Sequence, residues 1–343
     1  MSKSKNQSVE TLRGFAIILV VLGHVIGNDN TGGMKVSDDS FLRHLYFTFE
    51  YLRMPLFTTI SGWVYALRPA TFSFFGDFMM KKFRRIIIPL FVIGTLYFLL
   101  QQVTPGANNK ESYSNIWRIY IFPYTLYWYL PALFWVFLIV ALVDSLRFMQ
   151  KVQNWLIVTL LSIAVMLLRD VVIPEHSPNL FAYKMTIYLL PFFLIGIGIK
   201  RFPDVFGNKV LQGASAVILI VLLVLQQLVW YNLLDVELSK TGGIGLIIGL
   251  TGSMVLLSLQ WKIRWLIWIG GYAYTIYLFH AFGTAAGRII PKIAGIESTP
   301  VIFFTSLAAG MILPVFVEMI ADRFSLSRML LLGRPFNKSR NSD

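Results

Sequence analysis

Long apolar runs separated by short polar segments make up most of the chain. Ten runs lie near 11–28, 44–67, 86–103, 123–146, 154–172, 184–200, 211–231, 241–260, 265–284 and 300–322. Each is close to the roughly 17–25 residues that carry a helix across about 30 Å of hydrocarbon. The pattern predicts an all-α polytopic membrane protein, a bundle of about ten transmembrane helices in one integral-membrane domain over residues 1–343. No connecting segment is large enough to fold separately, and the pattern leaves the order of the tail open from about 324.

The basic residues orient this bundle. With the first residue inside, 20 of the 30 Lys and Arg fall on the cytoplasmic side, among them Lys3, Lys5, Lys81, Lys338 and Arg340. Nine fall outside and Arg53 lies within a run, so both termini are expected to be cytoplasmic. Composition agrees: 56% of residues are hydrophobic and 14% charged, against about 25% charged in a soluble domain. The net charge of +13 then reads as cytoplasmic flanking charge at a lipid bilayer, with no nucleic-acid partner. The chain has no cysteine, which excludes disulfides and thiolate catalysis. The first run lacks a cleavage signature and is expected to be a retained span. A multi-pass protein of a bacterial plasma membrane is the expected setting.

Ionisable groups inside such runs are expensive and usually mark function. Arg13 and His24 lie in the first run, eleven residues apart. At about 100° and 1.5 Å per residue they share one helix face and stand about 16 Å apart along the axis. That predicts Arg13 near one membrane surface and His24 near the bilayer midplane, in the outer half of its helix. Glu10 can pair with Arg13 one turn away. The segment Met79-Met-Lys-Lys-Phe-Arg-Arg-Ile-Ile-Ile-Pro89 brings Lys82, Arg84 and Arg85 into the third run, a pattern that suits either phosphates or lipid headgroups. In the second run Glu50 and Arg53 can neutralise each other, Ser61-Gly62 reads as close helix packing, and the break at Pro55 together with these charges points to a cavity. Tyr277 and His280 share a face in the ninth run, and Glu318 in the tenth should pair with a cation or line the cavity. His44 and His176 read as surface residues. Four scattered histidines form no metal-ligand pattern, so no metal is expected.

In order along the chain, these segments resemble the membrane acyltransferase-3 family. Leu12-Arg-Gly-Phe-Ala-Ile-Ile-Leu-Val-Val-Leu-Gly-His24 is similar to its Arg-x10-His signature, and Met54-Pro-Leu-Phe-Thr-Thr-Ile-Ser-Gly-Trp63 to its Pro-Leu-Phe segment. Arg84-Arg85 before Pro89, Tyr127-Trp-Tyr-Leu-Pro131, Tyr274-Thr-Ile-Tyr-Leu-Phe-His280 and Val317-Glu318 follow in the family's order. Thr58-Thr59 departs from it, standing where two aromatics are usual. The wording leans toward the branch resembling fucose 4-O-acetylases and exopolysaccharide O-acyltransferases.

The resemblance implies an enzyme that moves an acyl group, commonly acetyl from acetyl-CoA, to a hydroxyl of a cell-surface polysaccharide or lipid-linked oligosaccharide. It implies that Arg13 and His24 are essential, with His24 as general base or acyl carrier. Lys82, Arg84 and Arg85 would hold the acyl-CoA phosphates. Glu10, Arg53, Ser61, Trp128, Tyr277, His280 and Glu318 would line the cavity. The matched residues include no hydrolase-like extracellular domain, so any relay of that kind would come from a glycan-assembly partner. Two other readings stand beside this one: a transporter or flippase for a glycan or lipid precursor, and a scaffold for envelope assembly.

Overall fold

A computed structural model describes residues 6–336 except 106, 109 and 175; Lys3, Lys5, Lys338 and Arg340 of the charge count lie outside the described residues. The regular elements among the described residues are helical. They run α1 (Gln7–Ile26), α2 (Phe41–Tyr65), α3 (Phe75–Lys82), α4 (Ile88–Val103), the short α5 (Arg118–Ile121), α6 (Tyr129–Ser145) and α7 (Val152–Val172). After these come α8 (Tyr183–Arg201), the short α9 (Pro203–Phe206), α10 (Lys209–Trp230), α11 (Gly243–Ser258), α12 (Arg264–Ile293), α13 (Thr299–Ala321) and α14 (Ser325–Leu332). A helix thus falls on each predicted apolar run, and a further one follows residue 324.

Seven helical segments among the described residues are long and apolar enough to cross a membrane: those containing α1, α3–α4, α6, α7, α8, α10 and α13. Helix α11 is shorter, and the long α2 and α12 fall outside that set. These last two carry the polar residues singled out above, and both pack on α1. Helix α1 is the most enclosed span, whereas α10 and α7 present mostly outward-facing surface.

Local chemistry sets the ends of α1. The Asn6 side chain accepts the N–H groups of Ser8 and Val9, and Gly27 stops the helix at φ 88°, a conformation suited to glycine. The helix therefore starts before the apolar run and ends sooner than predicted. His24 lies in its last turn, at the opposite end of the helix from Arg13. Arg13 and His24 share a face, but Ile17 and Val20 fill that face between them and are almost wholly buried.

Small residues bring the central helices together. A Cβ on Gly14 would overlap the Leu266 carbonyl, and one on Gly270 the Glu10 carbonyl, so α1 and α12 cross backbone to backbone. Gly270→Val should destabilise the protein by about 1–3 kcal/mol through overpacking. An unchanged unfolding midpoint in detergent would contradict this close crossing. Two prolines free carbonyls that neighbouring helices satisfy. Pro89 leaves the Arg85 carbonyl to the Tyr274 hydroxyl, and Pro291 leaves the Gly287 carbonyl to Thr305 at 2.7 Å. The helical path through Phe83–Ile87 widens to a π-turn, which carries Arg84 and Arg85.

At the end of the bundle where α6 and α8 finish, Asp144 accepts both guanidinium nitrogens of Arg201, at 2.8 and 2.7 Å. The Tyr65 hydroxyl adds a third bond to the carboxylate at 3.1 Å, joining α2 to the pair.

Candidate active site

Three helices converge on His24. Helix α12 brings His280, whose ring centroid stands 5.0 Å from that of His24. Helix α2 brings Arg53, whose guanidinium lies so close over Gly23 that a Cβ there would overlap it. The glycine before His24 is therefore a close-approach glycine that lets a cation pack against the turn holding the histidine. Arg53 bonds the Tyr46 hydroxyl and sits 4.2 Å above the Tyr46 ring.

His24 and Arg53 line a cavity of about 920 Å³ with Trp128 and Tyr277. The cavity runs from His24 past Tyr97 and Gln101 of α4 to the loops beyond the end of α1, where Gly33, Asn108, Lys240 and Arg288 edge it. Paired tyrosines fix one wall. The Tyr277 hydroxyl donates to the Leu126 carbonyl at 2.8 Å, and the Tyr127 hydroxyl to the Leu278 carbonyl at 3.1 Å. These bonds tie the turn Thr125–Trp128 to α12 and hold Trp128 over the cavity. On the loop side, Arg43 bonds the Gly27 and Val36 carbonyls and Arg288 the Gly33 carbonyl. The loop after α1 is thereby pinned across the cavity's end.

The remaining expected residues lie elsewhere. His280 is wholly buried behind His24 and is not part of the cavity wall. Ser61 is turned back onto the Phe57 carbonyl at 3.0 Å, as hydroxyls in helices often are. Glu10 pairs with Arg13 at 2.9 Å, about four turns from His24 along α1. Glu318 pairs with Arg334, which also holds Asp322 at 2.8 Å, and accepts the Thr275 hydroxyl. These three residues therefore do not line the cavity; each is engaged with its own helix or with the end of the bundle where α1 starts. Glu50 also departs from expectation: it pairs with Lys240 at 2.8 Å and leaves Arg53 to Tyr46. A cation from a distant loop thus takes the place of the local partner, and all three side chains line the cavity. His44 is half-buried, stacked 4.9 Å from Trp230 and bonded to Gln227 at 2.5 Å, where α2 meets α10. His176 is exposed.

The basic segment is only partly free. Lys82 lies 3.6 Å above the Phe137 ring; Arg85 lies 4.0 Å from the Tyr274 ring and donates to the Leu332 carbonyl at 2.7 Å. Arg84 keeps a buried Nε without a hydrogen-bond partner. Arg13 lies within electrostatic reach of Arg85. Local spacing did not single out Tyr46, Tyr97, Gln101, Lys240 or Arg288 as cavity residues, because four different segments supply them.

The family described as an acyltransferase domain matches residues 6–319, nearly the whole chain, and contains both Arg13 and His24. The chain belongs to the acyltransferase-3 family. No curated protein and no solved structure matches it. Acyl transfer by a membrane protein is thus the general activity, and the cavity at His24 is its candidate site.

Proposed function

We propose that this acyltransferase is an O-acyltransferase of a bacterial plasma membrane. It moves an acyl group, acetyl in the simplest case, from acyl-CoA to a hydroxyl of a cell-surface polysaccharide or its lipid-linked precursor. The observation that carries this reading is His24 on the wall of a cavity of about 920 Å³ that reaches the loops at the opposite end of α1 from Arg13. The distribution of Lys and Arg supports ten spans with both termini cytoplasmic. On that orientation the cavity faces the acceptor's side of the membrane, and Arg13, Lys82, Arg84 and Arg85 face the donor's side.

The acyl-CoA phosphates would meet this basic end first. Arg84 offers an unpartnered nitrogen there, while Lys82 and Arg85 would exchange aromatic and carbonyl contacts for the phosphates. The acceptor would enter the cavity from the loop end. As general base, His24 would take the acceptor's hydroxyl proton as the oxygen attacks the thioester carbonyl, and the C–S bond would break. The proton would then pass to the departing thiolate. As acyl carrier, His24 would instead attack the thioester carbonyl first and expel the thiolate, then surrender the acyl group to the hydroxyl oxygen, whose proton would pass to the thiolate. In either case the Arg53 cation beside Gly23 is placed to stabilise negative charge developing on the carbonyl oxygen. Val20 edges the cavity, and the wholly buried Ile17 fills the face between it and Arg13, so the donor's arm needs that packing to open.

Isotope-labelled acetyl-CoA supplied to membrane vesicles containing the protein and its native glycan tests this reading. Label should appear on the glycan only when the donor is on the cytoplasmic face. Glycan binding or flux without label transfer would favour a transporter.

A further inference from the structure

His280 holds a buried side-chain nitrogen near His24 that has no use in the reading above. Its ring is fully buried. Nδ1 contacts two acceptors, the Ile276 carbonyl at 3.0 Å and the Tyr277 carbonyl at 2.8 Å. Carbonyl oxygens cannot donate, so Nδ1 carries the hydrogen. In the neutral ring Nε2 is then an acceptor with a lone pair, and Nε2 is buried with no hydrogen-bond partner. A buried acceptor left unmade costs on the order of 1–3 kcal/mol, so such atoms usually have a purpose. Among the described residues no ion pair involves His280, which fits the neutral form.

The His24 ring is the neighbour able to answer it. The two ring centroids are 5.0 Å apart and tilted by 41°. An N–H···N bond of about 3 Å, together with the distance from each ring centre to its nitrogen, spans that gap. Rotation of the imidazole about its terminal torsion is soft, so a modest turn of His24 completes the bond.

We infer that His280 is a positioning residue for His24: its Nε2 accepts a hydrogen bond from the His24 ring N–H turned toward it. The second His24 nitrogen is thereby kept bare and directed into the cavity, where it can take a proton or an acyl group. The backbone of α12 sets the His280 tautomer, and His280 in turn sets the tautomer of His24. This is the role a hydrogen-bonded orienting group plays for a reactive imidazole generally. The catalytic consequence rests on the proposed role of His24; the tautomer itself does not.

The test uses the full-length protein in lipid nanodiscs with nitrogen-15 histidine, and the chain has only four histidines to assign. In the wild-type protein His24 should show one protonated and one bare nitrogen as separate resonances. In His280→Phe, which keeps a ring but removes the acceptor, these should merge toward an average. His280→Gln, whose amide oxygen can replace Nε2 as acceptor, should restore the separation. If His280→Phe does not fold, His280→Asn keeps an N–H for the two carbonyls while withdrawing the acceptor. Averaged His24 nitrogens in the wild-type protein, or nitrogens unmoved by the loss of the acceptor, would overturn the inference. In an acyl-transfer assay, loss of the acceptor should lower kcat by about 10–100-fold, as for other orienting partners, with KM for acyl-CoA little changed. A tautomer that shifts as stated with no acyl transfer in the wild-type protein would sink the proposed function and leave the dyad standing.

Discussion

Replacing His24 by alanine is expected to lower acyl transfer by about 10²–10⁴-fold, the range general-base help supplies. The loss should fall on kcat, because in the proposed function His24 would meet the reacting atoms while the donor's phosphates would be held about 16 Å away at the Arg13 end. The fold should survive. His24 is half-buried, in the last turn of α1, and its ring borders a cavity rather than filling a packed core. Purified His24→Ala should therefore elute and melt like the wild-type protein. Single-turnover measurement with labelled acyl-CoA would read the chemical step directly. A variant that keeps wild-type turnover would remove His24 from the chemistry whatever the family match implies.

Asp144→Ala is expected to have the largest effect on stability. The carboxylate is fully buried and takes both guanidinium nitrogens of Arg201, which is itself only 11% exposed. Removing one partner of such a pair leaves the other charge buried without compensation and costs about 3–5 kcal/mol. Arg201 would keep one neutral contact, the Met149 carbonyl at 3.0 Å. The Tyr65 hydroxyl would lose its acceptor as well, loosening the junction of α2, α6 and α8. Thermal unfolding in detergent should fall well below that of the wild-type protein, and Asp144→Asn should fall less because its amide oxygen still accepts. Equal midpoints for Asp144→Ala and the wild-type protein would show that the pair carries little of the fold.

These two residues mark what could be read from the chain and what could not. His24 stands out by local reasoning: a titratable group in an apolar run, at helical spacing from Arg13. The Glu10–Arg13 pair follows from one-turn spacing and forms at 2.9 Å. The position of each long helix follows from apolar run length, since backbone groups in lipid must bond within their own segment. Asp144 is different: its partner lies 57 residues away, and only the packing of α6 on α8 brings them together. Glu50 illustrates the same limit, because a cation from a distant loop replaced its near neighbour Arg53. The ends of α1 differ from the apolar run for a local reason, the asparagine cap and Gly27 that shift the helix toward the chain's start. Likewise, helical periodicity places Ile17 and Val20 between Arg13 and His24, but whether they leave a channel depends on the helices packed against them. The juxtaposition of His24 with His280 is a property of the α1–α12 crossing, which the glycines at 14 and 270 permit.

The most direct test of the account is mass spectrometry of the surface glycan from cells that carry the wild-type protein, lack it, or carry His24→Ala at matched membrane abundance. The account predicts an acyl substituent present in the first and missing from the other two. The mass difference would identify acetyl or another acyl group. A fully acylated glycan in cells bearing His24→Ala would contradict the claim that acyl transfer in this protein passes through His24.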